Sequence, residues 1–292
     1  FDADWGGTAA PIIATSGSFT FRPSGTSFNR EVNTNWFNLP NTLSGLTYGS
    51  ATNTAGIRHS STLTVQGPVS LQGAYAYVIN PLTAAGDILL DGDTGANLAL
   101  GIYGVYVEAA VSTTAASNGN ITLTGRGGNG TSNFGVYLYA SGHITAGGNG
   151  AISITGIGGA NAGIGNHGIV SYATLTTSTG SLTLNGTGVG TGASSMNRGV
   201  QFIGNAVLRT TTGAMTLIGT GGVGANSEAF YFNDAGLATL GAVGQSGDIT
   251  IRGNNLAFGA GNVGIITSGS LTIEPTGTSF TAALSTQKFT LP

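Results

Sequence analysis

The chain of 292 residues has no cysteine, and its single lysine is Lys288. Without thiols there is no disulfide framework and no thiolate metal site, and their absence fits a secreted chain that does not rely on oxidation. Charge of either sign is scarce. Only 7% of residues are charged, against about a quarter in an ordinary globular protein. The net charge is −3 and the seven arginines are scattered, which excludes nucleic acid as a partner, since that binding needs clustered cations. No apolar run approaches the roughly 18 residues of a membrane helix, so no membrane span is expected. Proline is rare at 7 residues and glycine follows no three-residue period, which excludes collagen.

What is abundant is glycine, 52 residues, among many Thr, Ser, Asn and Ala. The 40% hydrophobic content is ample for a core. With few ion pairs to draw on, such a chain must build its structure from backbone hydrogen bonds and small packed side chains.

One unit recurs from residue 86 onward: "GDILLDG", "GNITLTG", "GAISITG", "GSLTLNG", "GAMTLIG" and "GDITIRG". Their first glycines, Gly86, Gly119, Gly150, Gly180, Gly213 and Gly247, stand 33, 31, 30, 33 and 34 residues apart. A second marker follows each: "GVYVEA" at Gly104, "GVYLYA" at Gly135, "GIVSYA" at Gly168, "GVQFIG" at Gly199, "AFYFND" at Ala229 and "GIITSG" at Gly264. Two landmarks holding one loose period are the signature of a solenoid. Apolar residues alternate within each unit, as at Ile121/Leu123 and Val136/Leu138, which is the period of a half-buried strand. No stretch has a helical period.

Each unit therefore predicts about three short strands joined by Gly/Asn/Ser loops, stacked as an all-β, right-handed parallel β-helix. An interior column is expected at Val105, Val136, Ile169, Val200, Phe230 and Ile265, with Tyr106, Tyr137, Val170, Gln201, Tyr231 and Ile266 facing outward. The whole of 1–292 reads as one continuous solenoid. Residues 1–85 form compact rungs, with a loop near 28–40 that packs Trp36 onto the coil, and 86–292 form rungs of about 30–34 residues.

A longer period overlies the short one. "SGSFTFRPSGTSF" at 16–28 returns as "SGSLTIEPTGTSF" at 268–280, and the ungapped overlay of 13–40 on 265–292 keeps 15 identities in 28 positions. The offset is 268 − 16 = 252. The sequence thus reads as one 252-residue period plus 40 residues of the next, cut from a tandem array whose neighbouring repeats are its first partners.

The order "SGSLTIEPTGTSF", "FNLPNTLSGLTYGSATNTAGIRHSSTLTVQGPVSLQG", "LTAAGDILLDG" resembles the long repeats of filamentous haemagglutinin-like bacterial surface proteins over most of the chain. That resemblance implies a secreted, extracellular protein at the bacterial cell surface: a fibre, sheath or adhesin shaft that self-associates laterally or end to end. The alternative is a module that binds glycans or a host surface through its tyrosine-bearing face or its variable loops. A polysaccharide-degrading β-helix enzyme is the third reading.

Catalytic and metal chemistry find little support. His59, His143 and His167 have no histidine or carboxylate at ligand spacing. Asp91 and Asp93 resemble part of a calcium loop, but the bidentate glutamate does not follow. Glycoside hydrolysis needs two converging carboxylates. Asp87 and Asp248 instead share a rung slot with Asn120, Ala151, Ser181 and Ala214. The expectation is no enzyme, no catalytic residue, no cofactor and no metal. Tyr106, Tyr137 and Tyr231 form a partial outward stripe, explained first as a stacking ladder that stabilises the coil.

Overall fold

Alternating short segments bury their apolar faces when they surround a common axis, and the chain does this with three parallel sheets. The computed structural model describes residues 10–94, 103–233, 236–260, 262–284 and 288–290. Among them the first sheet has ten strands, from Ser18–Phe21 to Leu271–Glu274. The second has nine, from Val32–Asn33 to Leu256–Phe258, and the third nine, from Leu63–Val65 to Phe289–Thr290. Each strand pairs in parallel with its counterpart one rung away, giving a β-solenoid of about nine turns.

Register follows the repeat. On the first sheet Ile88, Ile121, Ile152, Leu182, Met215 and Ile249 form one buried column, and Leu90, Leu123, Ile154, Leu184, Leu217 and Ile251 another. Each fully buried side chain of this size contributes about 1.5–3 kcal/mol. The shared slot is equally regular. The carbonyls of Asp87, Asn120, Ala151, Ser181, Ala214 and Asp248 accept from the N–H of Val69, Ile88, Ile121, Ile152, Leu182 and Met215 at 2.8–2.9 Å. The backbone makes this ladder bond whatever the side chain, and where the slot holds Asp or Asn its Oδ1 adds a bond from the next rung, as from Asn120 N–H to Asp87 at 2.7 Å and Ala151 N–H to Asn120 at 2.9 Å.

At the fifth position of the longer first-sheet strands stands a glycine, as at Gly156. A Cβ there would run into the backbone carbonyl of Gly168, where the chain crosses to the second sheet. Inside the loops that follow, Asn133, Asn166 and Asn197 are buried and stacked. Asn133 N–H donates to Asn166 Oδ1 at 3.4 Å and Asn166 N–H to Asn197 Oδ1 at 3.0 Å. The Asn166 amide also donates to Gly163 O at 2.7 Å. This ladder satisfies the buried backbone N–H groups of Asn133 and Asn166, as buried polar groups require, and leaves Asn133 Nδ2 without a partner.

Two expectations are corrected. The interior column Val105, Val136, Ile169, Val200, Phe230 ends on Leu256, not Ile265. Ile265 is buried, but it follows Leu240 in the third sheet, and Ile266 and Thr267 go with it. The reason is loop length. Only 253–255 separate Ile249–Arg252 from Leu256–Phe258, so the second-sheet strand arrives earlier than in preceding rungs, and Phe232 stacks on Phe258 at 5.4 Å. The segment 28–40 is also more than a loop. It supplies the strand Val32–Asn33 and a 3-10 turn at Thr34–Trp36, and Trp36 packs against the core together with Phe19, Phe21, Phe28 and Phe37.

Candidate binding surface

Apart from the ladder glycines, the positions that vary in chemistry are those pointing away from the axis, and on the second sheet they are aromatic. One outward row runs Arg58, Tyr77, Tyr106, Tyr137, Val170, Gln201, Tyr231. The residues two before the interior column make a second row, Tyr103, Phe134, His167, Arg198, Glu228, and those after the strands a third, Glu108, Tyr139, Tyr172, Ile203. Rows of one residue per rung lie about 4.8 Å apart along the axis, close enough for every ring to meet its neighbour.

They do meet. Tyr103 stacks on Phe134 with centroids 5.1 Å apart, and Phe134 on His167 at 5.1 Å. Tyr77 meets Tyr106 edge-on at 5.5 Å, and Tyr106 meets Tyr137 at 5.4 Å. Tyr137 stands edge-on to Tyr139 at 6.3 Å and to Tyr172 at 6.0 Å. Edge-to-face pairs of this kind add about 0.5–1.5 kcal/mol each beyond area burial. Val170 and Gln201 point outward yet are only 2% and 6% exposed, so this face carries a second packed layer outside the solenoid core. Tyr139 emerges from it, 44% exposed.

Each end of the array carries an arginine over a tyrosine and paired to a glutamate. Arg58 lies 5.5 Å from the Tyr77 ring and binds Glu31 at 2.9 Å and 3.2 Å, and Tyr75 donates to the same carboxylate at 2.5 Å. Arg198 lies 3.6 Å from the Tyr231 ring and binds Glu228 at 2.9 Å. Burial raises the Glu31 carboxyl, but the bonds from Arg58 and Tyr75 and the Arg58 charge together outweigh it and hold the group below its usual range. Burial pushes the Tyr77 and Tyr106 hydroxyls up to about 12, with Glu108 adding to the rise at Tyr106. The face is therefore built of neutral phenols between internally paired charges.

The histidines stay apart. His59 is buried between Thr34 Oγ1 at 3.0 Å and Pro81 O at 3.4 Å, and burial lowers it to about 4. His167 Nδ1 accepts from Arg198 N–H at 3.1 Å, and burial with the nearby Arg198 charge lowers it to about 3. His143, exposed, accepts from Thr174 N–H at 3.2 Å. Asp93 is bound to Arg126 at 2.6 Å, while Asp91 accepts from Asp93 N–H. Among the described residues no group of three or more His, Cys, Asp or Glu is placed to hold a metal.

The stripe read from Tyr106, Tyr137 and Tyr231 was a third of the array. Tyr103, Phe134, His167, Arg198 and Glu228 each stand just before a second marker, at spacings of 31, 33, 31 and 30. That regularity was present in the sequence. Its chemistry varies along the row, which hid it. No family model, curated protein or solved structure matches the chain.

Proposed function

We propose that this chain is a segment of a secreted, extracellular bacterial shaft, a structural rather than catalytic element of the kind suggested by the filamentous haemagglutinin-like repeats. Neighbouring repeats continue the same right-handed coil, which parallel crossovers favour. The observation that carries the reading is that the two copies of the 252-residue echo sit in one register. Near one end Ile12 pairs with Asn38, and near the other Gly264 pairs with Thr290, each partner displaced by 252. Phe28 and Phe280 likewise both pack on the core.

The rung beneath the second copy shows how a preceding rung seats the first. Asn254 Oδ1 accepts from Thr276 Oγ1 and Gly277 N–H, and its carbonyl from Thr281 N–H. Ser24 and Asn29, the counterparts of Thr276 and Thr281, line an open cavity of about 320 Å³ on the face where a preceding rung would stack. Length is then added without a new fold, since each repeat's last strands template the next repeat's first.

Small-angle scattering on chains carrying one, two and four copies of residues 13–264 tests this. Nine rung steps of about 4.8 Å lengthen the rod by about 43 Å per copy. Beads on a flexible string, with no linear gain in length, would defeat it.

A further inference from the structure

The outward row Glu108, Tyr139, Tyr172 follows the parallel ladder, with Tyr139 N–H donating to Val107 O at 2.9 Å and Tyr172 N–H to Leu138 O at 3.0 Å. The two tyrosine rings lie 6.4 Å apart at 44°, both braced edge-on by Tyr137 from the next row. Glu108 lies close enough to the Tyr106 hydroxyl to raise it. This row is pre-organised: rings fixed by packing lose little freedom when something lies on them.

We propose that the row binds an extended neutral polysaccharide running along the solenoid axis, with one sugar ring against each of Tyr139 and Tyr172 and ring hydroxyls bonded to Glu108. A pyranose has an apolar C–H face and a hydroxyl rim, which suits an amphipathic phenol, and its length along an extended chain is comparable to one rung. Charge selects the neutral class. Arg58 and Arg198, which flank the array, are committed to Glu31 and Glu228 at 2.9 Å. Glu108 repels a polyanion, so nucleic acid and acidic glycans are disfavoured. The stepped rings, tilted rather than coplanar, suit successive sugar units better than the flat face of a second copy. The proposal does not depend on the shaft reading.

Isothermal titration of the whole chain with cellohexaose, xylohexaose and maltohexaose, against a polygalacturonate hexamer, decides it. At least one neutral hexasaccharide is expected to bind. Tyr139→Ala and Tyr172→Ala should each weaken binding by about tenfold, equivalent to about 1.4 kcal/mol. Tyr139→Phe should retain most of the affinity. If Tyr172→Ala fails to fold by circular dichroism, the more exposed Tyr139 variant decides alone. Any of four results overturns the proposal: no binding of a neutral hexasaccharide up to its solubility limit, unchanged affinity in Tyr139→Ala, stronger binding of polygalacturonate, or a self-association in sedimentation that Tyr139→Ala abolishes while no sugar binds.

Discussion

Lowering the pH from 7.5 to 5 should destabilise the solenoid through His59 and His167. Both are buried and neutral, held at about 4 and about 3 in the fold against an ordinary 6.5. The unfolded chain therefore binds more protons below pH 6.5. By linkage, the stability present above that value is lost as the pH falls toward the folded values. At pH 5 each histidine has forfeited about 2 kcal/mol, at 1.36 kcal/mol per unit, or about 4 kcal/mol together. Carboxylates contribute little in this window, because their ordinary values lie below 5. The geometry explains the resistance to protonation at His167: its Nδ1 already accepts from Arg198 N–H, so an added proton would set two donors face to face. Urea unfolding at pH 7.5, 6 and 5, with hydrogen exchange read separately around residues 59 and 167, measures the loss in each rung. His167→Phe keeps an aromatic ring on Phe134 and removes the titration, so the slope near 167 should vanish while that near 59 remains. A midpoint independent of pH across this range, or an unchanged slope near 167 in the variant, would refute the linkage.

Three further substitutions test the scaffold. Gly156→Ala drives a Cβ into the Gly168 carbonyl, backbone that has no flexible end to yield, and should cost about 1–3 kcal/mol as overpacking. Gly25→Ala, with open space around it, should stay within about 0.5 kcal/mol in the same urea series. Asn166→Ala strips the partner from Asn133 N–H, while Gly163 O keeps its bond from Ser194 Oγ, and should cost about 1–3 kcal/mol for the one orphaned group. Faster amide exchange confined to 158–168 and the adjoining loops is the expected signature.

What the sequence determined by itself was the periodic part. Ile121/Leu123 alternation gives strands, and two markers near 31 residues apart give parallel stacking, because the nearest equivalent partner of each strand is its own copy one rung away. Asp87 and Asp248 were legible as slot residues for the same reason. Tertiary structure decided whatever depends on loop length and on neighbours far apart in the chain. A short turn at 253–255 moved Ile265 from the second sheet to the third, since hydrogen-bond register, not the resemblance of "GIITSG" to its fellows, assigns a strand. The aromatic face likewise exists only because residues some 31 positions apart are brought within ring contact. Tyr103, Phe134 and His167 share a place before the second marker but no common residue type, and packing makes them one stack.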